Sequence, residues 1–175
     1  MTSNWLLGSD TQPHNAASRH WLRARAAPTL ELMTDDALER AAIETFASDA
    51  AKERMLFLVG RRKRRPDLLG IIHTSKFLAQ SALVKLPAEC VVHDRDVGMR
   101  ALLALLNKLG AGKTWYAISA LSNLDGQSVP LTDALDGCFV NTVETLLFDP
   151  VGRIGYFEGG HPNDRYILRA RTNEL

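Results

Sequence analysis

The amino-acid sequence predicts an α+β domain with a mostly antiparallel, mixed sheet flanked by helices. Three observations predict it. Two stretches, 35–52 and 99–109, carry apolar residues at helical spacing. Short apolar runs at 55–59, 68–74, 81–92, 114–121, 143–148 and 153–157 are bounded by turn residues, as strands are. In the last run, 165–171, Tyr166, Leu168 and Ala170 alternate with charged positions.

Residues 1–28 hold Pro13, Pro28, Trp5 and Trp21 without a regular period, and this arm stays unassigned. Thr34 or Asp35 caps a first helix running to about Lys52, with Leu38, Ala41, Ala42, Thr45 and Phe46 on one face. The runs Met55 to Val59 and Leu68 to Thr74, joined by GRRKRRPD, read as a hairpin of two buried strands. Ser81 to Leu86 and Glu89 to Val92 form a third strand, bulged at Pro87. The second helix places Met99, Leu102, Leu103, Leu106 and Leu109 on one face, and Gly110 stops it. Thr114 to Leu121 is a strand, and Val129 to Asp136 a short helix or loop. Val143 to Phe148 and Arg153 to Phe157 form a hairpin around the turn DPVG.

At 175 residues the chain suits one domain, 29–175 beyond the arm, able to bury roughly 70% of its unfolded surface. Hydrophobic content of 46% and charged content of 23% exclude a disordered or fibrous chain. A formal net charge of +1 excludes a global pull toward nucleic acid or membrane, so electrostatic function must come from a local cluster. Cys90 and Cys138 lack the spacing of a metal knuckle or redox pair, and the five histidines show no ligand spacing, so no metal is expected. No run reaches the roughly 18 apolar residues of a membrane span, and a reducing cytoplasm is the expected compartment.

Two local features carry chemistry. The first is Arg95-Asp-Val-Gly-Met-Arg100, a polar turn opening the second helix, where free amides and the helix dipole favour an anion; Asp96 can cap that helix. The string GAGKT is not a phosphate-binding P-loop. That motif needs glycine where Asn107 stands, and it runs from strand into helix, not from helix into strand.

The element order together with the turn at Arg95 and Gly98 resembles the GNAT N-acetyltransferase superfamily over most of residues 29–171. In that family a hairpin and a bulged strand lead to a Q/R-x-x-G-x-G/A turn, a helix and a strand ending near an Asn, here Asn123. Gly137-Cys138-Phe139 is similar to the family's Gly-Phe, with one extra residue, and DRYILRA to its last strand. Arg100 stands where the family has Gly or Ala. The resemblance implies a GNAT-like fold and transfer of an acetyl group from acetyl-CoA, as co-substrate, to a small-molecule or macromolecular amine; a homodimer is a candidate assembly, which the sequence does not specify. It implies that the amides of Val97, Gly98, Met99 and Arg100, with Arg95, hold the pyrophosphate, and that Val91 and Val92 line the pantetheine and serve the oxyanion. Glu89 would act as the base through water, with His93 the second choice. SVPLTDALDG lacks the family's acid Tyr, leaving Tyr116 or Tyr156 to protonate the thiolate.

The second feature is the basic run Arg61, Arg62, Lys63, Arg64, Arg65 at the expected hairpin tip. Five consecutive cations point to a polyanion, RNA or DNA, and the connectivity places them at the same end of the sheet as Arg95. No aromatic residue interleaves the run, which argues against base stacking. A non-catalytic α+β module binding nucleic acid or protein through 61–65 is therefore the alternative to the enzyme.

Overall fold

The structure is a computed structural model that describes residues 35–92, 94–139, 141, 143–151, 153–161 and 164–170; the N-terminal arm and His93 lie outside the described residues. Among these are five α-helices, α1 (Asp35–Phe46), α2 (Asp49–Leu58), α3 (Arg65–Ile72), α4 (Arg95–Lys108) and α5 (Leu131–Cys138). The six strands are β1 (Leu83–Lys85), β2 (Thr114–Ser119), β3 (Ser128–Pro130), β4 (Thr145–Asp149), β5 (Ile154–Glu158) and β6 (Arg165–Arg169). They form one open sheet in the order β1-β6-β5-β4-β2-β3, with every pairing antiparallel.

Period-two alternation divides the strands between two cores. Tyr116, Ile118, Leu146, Phe148, Phe157 and Leu168 face α1, α2 and α3, where Leu38, Ile43, Phe46, Met55, Leu68 and Ile72 cover them. Trp115, Ala117, Leu147, Tyr156 and Ile167 face the opposite way, onto Leu102, Leu106, Leu131, Leu135 and Phe139 of α4, α5 and the residue after α5. The result is a three-layer sandwich in which β4 and β5 are buried along their whole length.

Four expectations are corrected. The first helix ends at Phe46, because Ala47 bridges Leu78 and Ser48 turns extended before α2 begins. The expected hairpin at 55–74 is instead the helical pair α2 and α3. Apolar runs of this length are ambiguous by periodicity, and here Met55 and Leu58, then Leu68 and Ile72, point inward at helical spacing. Pro66 fits the first turn of α3, and Gly60 turns the chain with φ of 73°. Of the bulged strand only Leu83–Lys85 pairs, while Ala88–Cys90 after Pro87 forms a 3-10 turn. The sheet is not mixed. β1 and β2 run in the same direction but are separated by β6, β5 and β4, and α4 carries the chain across.

The remaining elements follow the sequence reading closely: α4 with Gly110 after it at φ of 89°, then β2, the β4–β5 hairpin and β6. α5 begins two residues later than expected, preceded by the short edge strand β3.

Candidate functional site

The basic run occupies the junction between α2 and α3. Arg62–Arg64 is a 3-10 turn, tied by the Arg61 amide donating to the Leu58 carbonyl at 3.1 Å and the Arg64 amide to the Arg61 carbonyl at 2.7 Å. The five cations have different surroundings. Arg61, Arg62, Lys63 and Arg64 are exposed, and Arg64 pairs with Asp67 at 3.2 Å. Arg61 lies over Phe57, its guanidinium carbon 3.7 Å from the ring centroid.

Arg65 turns inward and anchors the turn. It donates from Nε to Asp125 Oδ2 at 2.7 Å, and its two terminal nitrogens reach Asp125 and Glu39. Asp125 also accepts from the Ser119 amide at 3.0 Å, and the Tyr116 hydroxyl lies 3.4 Å from Glu39. Burial acts against the Arg65 charge, but Asp125 and Glu39 outweigh it and hold the guanidinium more firmly protonated than usual. For Glu39 the balance is opposite: burial exceeds the pull of Arg65, and its carboxyl is raised above the ordinary range. The turn is thus pinned to α1 and to the loop after β2, leaving four cations in water on a fixed support.

The expected anion loop does open a helix, but its donors are engaged. Asp94, not Asp96, is the cap: its Oδ1 accepts from the Val97 amide at 3.0 Å, and its carbonyl accepts from the Gly98 amide at 3.0 Å. Met99 and Arg100 lie one turn inside α4, where amides bond back along the helix. Arg95 Nε donates to the Phe139 carbonyl at 3.3 Å and Nη2 pairs with Asp136 at 3.1 Å, so it ties α4 to α5. Gly98 is buried, and a Cβ there would sit 3.1 Å from the Cys90 carbonyl and 3.3 Å from the Phe139 ring. The glycine serves helix packing.

The nominated catalytic residues are not brought together. Glu89 is exposed on the 3-10 turn packed against α4, whereas Tyr116 is buried on the opposite face of the sheet, among α1 and its neighbours. Burial is the main reason its phenol is raised well above the usual range, with Glu39 adding to it. Tyr156 donates to Glu158, which Arg165 Nε also meets at 2.7 Å; all three are buried on the α4 and α5 side. Val91 and Val92 are exposed, and Asn123 lies in the exposed turn after β2.

The basic run and the start of α4 share one end of the sheet. Arg65 reaches that end through Asp125 at Ser119. Arg95 reaches it through Phe139, whose ring is 5.6 Å from the Arg165 guanidinium. They lie on opposite faces, so they form no common site. A groove of about 1110 Å³ elsewhere, lined in part by Glu44, Asp49, Lys52, Arg153 and Arg169, holds charges of both signs and none of the residues nominated from sequence.

Sequence reasoning missed Phe57, Glu39 and Asp125. Reading 49–58 as a helix would have put Phe57 on the face away from Met55 and Leu58, but its contact with Arg61 depends on the reversal at Gly60 beyond the helix end. Nothing local marks Glu39 or Asp125, which meet Arg65 only in the folded chain. Comparison with known proteins finds no matching family model, no matching curated protein and no matching solved structure. Among the described residues no three His, Cys, Asp or Glu side chains cluster to hold a metal ion, and no helix is long and apolar enough to cross a membrane.

Proposed function

We propose that this domain is a non-catalytic binding module that engages nucleic acid through the basic turn between α2 and α3. The observation that carries it is the fixed display of Arg61, Arg62, Lys63 and Arg64, exposed in succession on a turn that Arg65 pins to the body of the protein. Of the four, Arg64 alone is paired with a carboxylate among the described contacts. A local cluster of this kind attracts phosphates although the net charge is only +1. Each phosphate it neutralises releases counterions, so binding must weaken with salt.

Fluorescence anisotropy with labelled oligonucleotides between about 50 and 200 mM salt tests this, with an expected log–log slope of about −2 to −3 for three phosphate contacts. The triple variant Arg61→Ala, Arg62→Ala, Lys63→Ala is expected to lose that binding while keeping its fold by circular dichroism. Oligonucleotide affinity that is unchanged by the triple variant, or no affinity at low salt, refutes the proposal.

Acetyl-CoA-dependent acyl transfer has less support. The Val97 and Gly98 amides are engaged, Gly98 packs against a carbonyl and a ring, and Glu89 and Tyr116 lie on opposite faces. Calorimetric titration with acetyl-CoA separates the two readings: no binding is expected, and micromolar affinity would restore the enzyme.

A further inference from the structure

We propose that Phe57 and Arg61 form a stacking site for an unpaired base, so that the basic turn selects single-stranded over duplex nucleic acid. This rests on the reading of the turn as a nucleic-acid surface and adds what that surface selects.

Phe57 is 55% exposed and is the only aromatic side chain among the large hydrophobic residues exposed in the described structure. Its neighbours on α2, Met55 and Leu58, point into the core, while Phe57 points to water. Gly60 brings the chain back over it. The positive φ of Gly60 reverses the backbone, and a side chain there would both strain that φ and crowd the Asp36 carboxylate, whose Oδ2 a Cβ would meet at 2.5 Å. The Arg61 guanidinium is thereby laid on one face of the ring at 3.7 Å. One helical turn before Phe57, Glu53 and Arg54 are both exposed, so the helix face beyond the ring carries both signs and the cationic surface is that of the turn itself.

This pairing has a chemical consequence. The exposed ring and the planar guanidinium on it present flat π and cationic surfaces beside Arg62 and Lys63. A base can stack on such surfaces while the adjacent cations hold its phosphates, and stacking tolerates any sequence because each base has a π face. Bases in a duplex are paired and already stacked, so they cannot reach the ring. Charge alone would favour the duplex, whose charge density is higher. A preference for single strands therefore reports the ring and not the cations.

The test uses the whole protein and anisotropy with oligo(U), oligo(dT) and a mixed-sequence duplex of equal length at low salt. Both single strands are expected to bind more tightly than the duplex. Phe57→Ala is expected to weaken single-strand binding about tenfold, with duplex affinity and the salt slope unchanged, and Phe57→Trp to restore it. Because the side chain is exposed, both variants are expected to fold, which circular dichroism checks. If Phe57→Ala leaves single-strand affinity intact, or weakens strand and duplex equally, the stacking site is overturned and the basic-turn reading stands. If wild-type protein binds none of the three, both fall.

Discussion

Arg65 and Arg61 are the same residue type four positions apart, and their surroundings give them opposite roles. Arg65 meets two carboxylates from distant segments and spends its charge on holding them together; Arg61 rests on a ring and keeps its charge in water. Removing Arg65 leaves Glu39, nearly fully buried, without its counter-ion. Arg65→Ala is expected to cost about 3 kcal/mol in urea unfolding, the low end for breaking a buried pair, because 24% of the Arg65 side chain remains in water. Glu39 predicts a pH dependence. Its folded carboxyl is raised above the unfolded value, so the stability it contributes is present below the ordinary carboxylate range and lost as pH rises through the folded pKa. Glu39→Gln lacks that loss, and its deficit relative to wild type should shrink as pH rises from about 4 to 7 in unfolding measured across that range.

At the scale of elements, α4 shows how a correct local reading can serve a different end. Its apolar face, its start at Arg95 and its stop at Gly110 are all legible, since a 3.6-residue period sustained over several turns fits a helix and not a strand. Its N-terminus was legible as polar but not as already satisfied, because Asp94 as cap and Arg95 as tie to α5 depend on where neighbouring segments lie. Asp94→Ala is expected to cost about 1 kcal/mol through loss of the cap. Gly98→Ala is expected to cost about 1–3 kcal/mol, because its methyl group meets the Cys90 carbonyl and the Phe139 ring. Denaturant titration of each variant checks both, and a Gly98→Ala protein as stable as wild type would reopen the helix start as a ligand site. The pair α2 and α3 marks the opposite case. Its apolar runs are short and continuous, so no period separates strand from helix, and the partners that choose helix lie on α1 and the sheet.

For the whole molecule, the sandwich places the sheet between two helical layers, and its most enclosed part is the β4–β5 hairpin. Gly155, between Phe46 of α1 and Leu168 of β6, allows the first layer to close on the sheet; a Cβ there would lie 2.9 Å from the Phe46 ring and 3.0 Å from the Leu147 carbonyl. Amide hydrogen exchange should accordingly be slowest in β4 and β5 and faster in the short edge strands β1 and β3. Protection in β1 equal to that in β5 would contradict this layering. The sequence by itself determined the α+β class, α4, the β4–β5 hairpin and the strands β2 and β6, because each is specified by a period or a turn within a few residues. The tertiary structure alone decided that 55–74 is helical, that the sheet is purely antiparallel with β1 at its edge, and that Arg65 is an anchor beside four exposed cations. Those outcomes depend on contacts between segments far apart in the chain, where burial and charge pairing outweigh local preference.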